Sequence, residues 1–157
     1  MAVDQPPPEQ DHIYAEAMET WQGIALGIRL ELTTPAEGGR TRPLVDSPEQ
    51  PFSYRPNWGL PTMKAGPCGQ AGALVYRFSS PLVSPGESAH AVIVPPFPQM
   101  ISQWRAEAKT GAVLPMYEGT RICGYGTILW VKDVQLPLTE ADTRRFDHWL
   151  SGLGSGF

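Results

Sequence analysis

Ile24-Ala25-Leu26-Gly27-Ile28-Arg29-Leu30-Glu31-Leu32 sets large apolar residues at every second position. A period of two is the pattern of a strand, because successive side chains leave the backbone on opposite faces. Leu26, Ile28, Leu30 and Leu32 are expected on the buried face and Ala25, Gly27, Arg29 and Glu31 on the other. The strand stops at Thr34-Pro35, and Glu37-Gly38-Gly39 supplies a turn. Downstream, Phe52–Trp58 reads as a second strand broken by Pro56, which suits an edge or a bulge. Gly59–Gly72 reads as a long loop, Ala73–Ser79 as a third strand and Ala89–Val94 as a fourth, entered by the turn Ser84-Pro85-Gly86. Met100–Lys109 fits a short helix carrying Ile101 and Trp104 on one face. Gly111–Tyr117 and Thr120–Val131 then read as a hairpin about a two-residue turn, Glu118-Gly119.

Upstream the period is different. Tyr14, Ala17, Met18 and Trp21 recur at i, i+3, i+4 and i+7, predicting a helix over 9–21 that follows a disordered, proline-rich lead at 1–8. At the other end Phe146, Trp149, Leu150 and Leu153 repeat that spacing behind Thr139-Glu140-Ala141-Asp142, predicting a capped helix over 139–152. Six strands at short spacing, with 17 prolines and 16 glycines to punctuate them, point to an all-β sandwich or barrel with a helix at each end. Residues 9–157 are expected to form a single domain, with the β unit at about 24–132.

Composition narrows the function classes. A net charge of −4 gives no general electrostatic case for nucleic acid. No apolar run is long enough for a bilayer span, and MAVDQPPPEQ lacks the features of a signal peptide. Cys68 and Cys123 have no metal-ligand spacing and read as reduced thiols of a cytoplasmic protein. His12, His90 and His148 are scattered over three elements, so no metal, cofactor or catalytic group is expected. Cys123, in an apolar strand, reads as a structural thiol rather than a nucleophile. No GxxxxGK[ST] phosphate loop occurs, so no GTP binding is expected.

Four segments carry a family likeness. Glu37-Gly38-Gly39-Arg40-Thr41-Arg42-Pro43-Leu44 resembles EGGRHTPF, and Tyr54-Arg55-Pro56-Asn57-Trp58 resembles YRPQF. Leu82-Val83-Ser84-Pro85-Gly86-Glu87 resembles MVMPGD, and Tyr117–Thr127 resembles REGGRTVGAGV. In this order, over roughly two-thirds of the chain, they resemble the third, C-terminal domain of elongation factor Tu, without its GTPase and second domains. That resemblance implies a six-stranded antiparallel closed β-barrel and a non-catalytic binding module. It implies a protein partner, with tRNA as the alternative partner and an unrelated enzyme on the same scaffold as a third reading.

Carried over by motif, the RNA-facing positions are Arg40, Thr41, Asn57, Glu118 and Gly119. Arginine, hydroxyl, amide and backbone N–H groups suit phosphate and ribose contacts. Tyr54, Arg55, Trp58, Tyr117 and Arg121 are of the types that anchor protein interfaces. The structural alternative is that these aromatics pack beneath the rim and the arginines neutralise neighbouring carboxylates.

Overall fold

A computed structural model of the protein describes residues 19–63 and 69–152. The opening strand, β1 (Trp21–Leu32), is followed by two short pieces, β2 (Leu44–Val45) and β3 (Asn57–Trp58). Then come β4 (Ala71–Gly72), β5 (Leu74–Phe78), β6 (Leu82–Val83) and β7 (Ser88–Val94). Helix α1 (Ile101–Glu107) precedes the hairpin of β8 (Val113–Glu118) and β9 (Arg121–Leu136), and α2 (Glu140–Leu150) closes the order. Seven strands form one antiparallel sheet in the order β4-β3-β8-β9-β1-β7-β5, and β2 pairs with β6 in a separate two-stranded sheet.

The alternation that opens the sequence assigns the two faces. Ile24, Leu26, Ile28, Leu30 and Leu32 belong to one apolar cluster with Trp58, Leu114, Met116 and Trp104. The odd-numbered Ala25 belongs to another, with Tyr76, Val92, Val94, Trp130 and the α2 residues Phe146 and Leu150. The same parity holds on β7, where Ala91 and Ile93 face the first cluster and Val92 and Val94 the second. The sheet is thus buried on both faces along much of its length. For that reason Gly23–Ile28 is continuously buried, and only Arg29 and Glu31 of the expected outward set are exposed.

Helix α2 forms where it does for local reasons. The Thr139 hydroxyl accepts from the Asp142 N–H at 3.1 Å, and Glu140 and Asp142 stand in the positive first turn. Gly152, at φ +79°, lets the chain leave the helix. Its apolar side carries Phe146, fully buried, whose ring stacks on Trp130 at 5.6 Å. Burying a side chain of that size contributes about 1.5–3 kcal/mol. A charged network fixes the helix from the other side. The Tyr76 hydroxyl and Arg77 Nη1 both donate to Asp147 Oδ1, at 2.8 and 3.3 Å. Arg77 Nη2 donates to Asp46 Oδ2 at 2.8 Å, and the Phe78 N–H donates to Asp46 Oδ1 at 3.0 Å.

Several expectations need correction. The antiparallel, β-rich class with two helices stands, but the six-stranded closed barrel does not: the ladder is an open run of seven strands ending at β4 and β5. The second expected strand, Phe52–Trp58, pairs only in part: Asn57–Trp58 form β3. Pro56 has no N–H, Phe52 takes φ 66°, and the link to β5 is one isolated bridge, Tyr54↔Val75, beside a Phe52 N–H to Tyr76 carbonyl bond of 3.3 Å. The helix expected over 9–21 cannot reach its last residue, because Trp21 opens β1 and pairs with Leu136; residues 1–18, including the proline-rich lead, lie outside the described residues. The β8–β9 turn is Gly119-Thr120, with Glu118 still paired to Arg121, and Gly119 alone at positive φ fits a hairpin turn that takes glycine first. The loop Gly59–Gly72 ends in β4, and the β2–β6 pair has only two residues per strand, too few to produce a readable period.

Candidate functional site

The sequence-predicted positions come together at one rim, around the carboxylate of Glu118. This residue ends β8, and its Oε2 accepts from Arg40 Nη1 at 2.9 Å and from the Tyr54 hydroxyl at 2.5 Å. Arg40 follows a tight turn in which Thr34 and Glu37 cap each other reciprocally and Gly38 takes φ +90°. Its Nε donates to the Arg42 carbonyl at 2.9 Å, and its guanidinium carbon lies 5.7 Å from the centre of the Tyr54 ring. Three segments far apart in sequence are thereby tied into one half-buried cluster. Burial, and then the hydrogen bond and negative charge of Glu118, push the Tyr54 phenol well above its ordinary range.

The other predicted residues surround this cluster in different states. Asn57 is exposed on β3, opposite Tyr117 and Gly72. Thr41 and Arg121 are exposed, and the side chains of Thr41, Asn57 and Arg121 hydrogen-bond to no other described residue. Arg55 is exposed, with its Nε donating to the Phe52 carbonyl at 3.4 Å. Gly119 stands at the hairpin tip, its carbonyl accepting from Gln70 Nε2 at 2.8 Å. Gln70 is a rim residue that the sequence reading misses; it lies in a glycine- and proline-rich stretch with no period to single it out.

Two expected interface anchors are structural instead. Trp58 is fully buried, with its Nε1 donating to the Ala73 carbonyl at 3.1 Å, and Tyr117 is 5% exposed. They pack beneath the rim, as the structural alternative requires. Arg40 likewise neutralises Glu118, so Arg55 and Arg121 are the arginines of the predicted set with no carboxylate partner among the described residues. Cys123 is buried below, its Sγ donating to the Arg121 carbonyl at 3.7 Å. Burial, and then the charge of Glu118, hold its thiol above the ordinary range, which disfavours the nucleophilic thiolate.

Elsewhere, His90 on β7 stacks on Trp149 with ring centres 4.8 Å apart, and His148 is exposed on α2. Among the described residues no group of three or more His, Cys, Asp or Glu side chains is placed to hold a metal, and no helix is long and apolar enough to cross a membrane. What the rim can do chemically is offer exposed donors and acceptors around a prearranged ionic centre. No protein-family model matches this chain, and comparison with curated proteins finds no match.

Proposed function

We propose that the chain is a non-catalytic, cytoplasmic binding module resembling the third domain of elongation factor Tu, and that it docks a protein partner on the Arg40–Tyr54–Glu118 rim. The observation that carries this reading is the convergence of Gly39–Arg42, Tyr54–Asn57 and Glu118–Arg121 on one carboxylate, with Thr41, Asn57 and Arg121 left exposed around it. A centre whose charges are already paired holds its neighbours in fixed positions, which lowers the ordering cost of binding.

The test is capture of partners from native lysate by the full chain and by an Asn57→Ala/Arg121→Glu variant. A specific partner retained by the first and reduced at least about tenfold by the second is expected, since loss of one interface anchor is worth upward of 1.4 kcal/mol. Recovery of no specific partner, or equal recovery by both, would sink the reading. The exposed donors of Arg55, Asn57 and Arg121 favour a second reading, tRNA binding. A gel shift at low salt, where phosphate contacts are strongest, decides it: absence of a complex there removes that alternative.

A further inference from the structure

Past the apolar patch that α2 covers, the second face of the sheet turns polar. Arg29 on β1 and His90 on β7 are direct cross-strand partners, and their parity puts them on the face that carries Ala25 and Val92. With Ser79, Ser88 and Ala89 they line a pocket of about 230 Å³. The Ser79 hydroxyl accepts from the His90 backbone N–H at 2.8 Å, which leaves its own proton to donate. The His90 ring stacks on Trp149 of α2, with centres 4.8 Å and planes 16° apart, so its orientation is set before anything binds.

We propose that this pocket binds a phosphate monoester through Arg29, His90, Ser79 and Ser88. Each of these four side chains can donate a hydrogen bond, and no carboxylate lines the pocket. The acid that meets Arg29 is Glu31, with Nη1 and Oε1 3.4 Å apart and both side chains more than half exposed. Such a loose surface pair holds the guanidinium weakly and leaves it N–H groups to spare. Neither the His90 ring nor the Ser88 hydroxyl hydrogen-bonds to another described residue. Burial, and then the Arg29 charge, hold the imidazole below its ordinary pKa, the response of a base in a positive potential. Donor number selects the ligand: a carboxylate offers two oxygens, whereas a phosphate monoester offers three strong acceptors and up to two charges. A small-molecule phosphate and a phosphoserine side chain share that chemistry. None of these residues belongs to the Glu118 rim, so failure here and failure of the rim reading are separate results.

The test follows the His90 and Arg29 side-chain resonances of the isotope-labelled full chain by NMR. Inorganic phosphate and a capped Gly-phosphoserine-Gly peptide are titrated in turn at constant ionic strength, with the unphosphorylated peptide as control. Saturable shifts of both side chains are expected. Tighter binding of the phosphopeptide assigns the ligand to a protein-borne phosphate, and equal or tighter binding of inorganic phosphate assigns it to a small molecule. Arg29→Gln, a change at an exposed position, should weaken binding about tenfold or more, because a charge-assisted bond is lost. Glu31→Gln should tighten it about two- to fivefold, since the carboxylate that competes for Arg29 is gone. Shifts that saturate with neither phosphate probe, equal shifts with the unphosphorylated peptide, or an affinity unchanged by either substitution would each overturn the proposal.

Discussion

Gly27 is the point at which the sheet and α2 depend on a single hydrogen atom. A Cβ built there would lie 2.1 Å from Trp130 Cε2 and 2.2 Å from Trp130 Nε1, distances that real Cβ atoms do not adopt. The indole has little room to retreat, since its other side stacks on Phe146, fully buried, and its edge meets Trp149. Gly27→Ala must therefore displace Trp130 and, through Phe146, part of α2. Overpacking of this kind costs about 1–3 kcal/mol, while replacing glycine by alanine in a strand returns about 0.5–1 kcal/mol. With the indole held on both sides the cost falls in the upper part of that range, about 2–3 kcal/mol, so the expected net loss is about 1–2.5 kcal/mol, or a Tm lower by about 2–10 °C for a chain of this size. Urea denaturation followed by tryptophan fluorescence and far-UV circular dichroism measures it. Repeating the substitution in a Trp130→Leu background isolates the contact, and the penalty there should fall below about 0.5 kcal/mol. A Gly27→Ala protein as stable as the parent, or one equally destabilised in both backgrounds, would refute the reasoning.

Tyr54→Phe removes a hydrogen bond to an ionised carboxylate that keeps Arg40, so a stability loss of about 1–2 kcal/mol is expected from chemical denaturation. Both Tyr54 and Tyr76 hold their protons more tightly in the fold than the ordinary value of 10.0, each first because of burial and then because of a carboxylate partner. Their contribution is fully present below pH 10 and is lost above it, where the unfolded phenols ionise and the folded ones do not. Stability should therefore fall as pH rises past 10, less steeply in Tyr54→Phe, as read from denaturation midpoints across that range. Asp46→Ala strands the Phe78 N–H and half of the Arg77 guanidinium, at a cost of about 2–4 kcal/mol by urea denaturation. Asp46→Asn, which keeps an acceptor for the N–H, should recover part of it.

Much of the fold was legible because its strands obey a period. The even-numbered residues of β1 do face one core, and the Phe146–Leu150 stripe does face the sheet. Alternation alone misjudges Ala25 and Gly27, however. Small residues on the outer face mean solvent if nothing covers it and close packing if an indole does, and the indole over Gly27 belongs to Trp130, far away in sequence. The open strand order was beyond reach for a similar reason: the break at Pro56 is legible, but the positive φ of Phe52 and the pairing partners of Asn57–Trp58 are not. At the rim, motifs located Arg40, Tyr54 and Glu118 but not their mutual bonds, and residue type could not distinguish a buried Trp58 or Tyr117 from an exposed anchor.

The two-faced sheet also bears on how the chain is made. The nine strands among the described residues all precede α2 in chain order, so a ribosome completes the first core with β9 while the second face, with Tyr76, Val92 and Trp130, still lacks its cover. At synthesis rates of about 5–20 residues per second, the α2 residues follow within about one to three seconds, plus the time needed to clear the exit tunnel. A message truncated just after Leu136 would yield a product with its first core intact and a bare aromatic surface, the kind of species that chaperones retain and that aggregates when they do not.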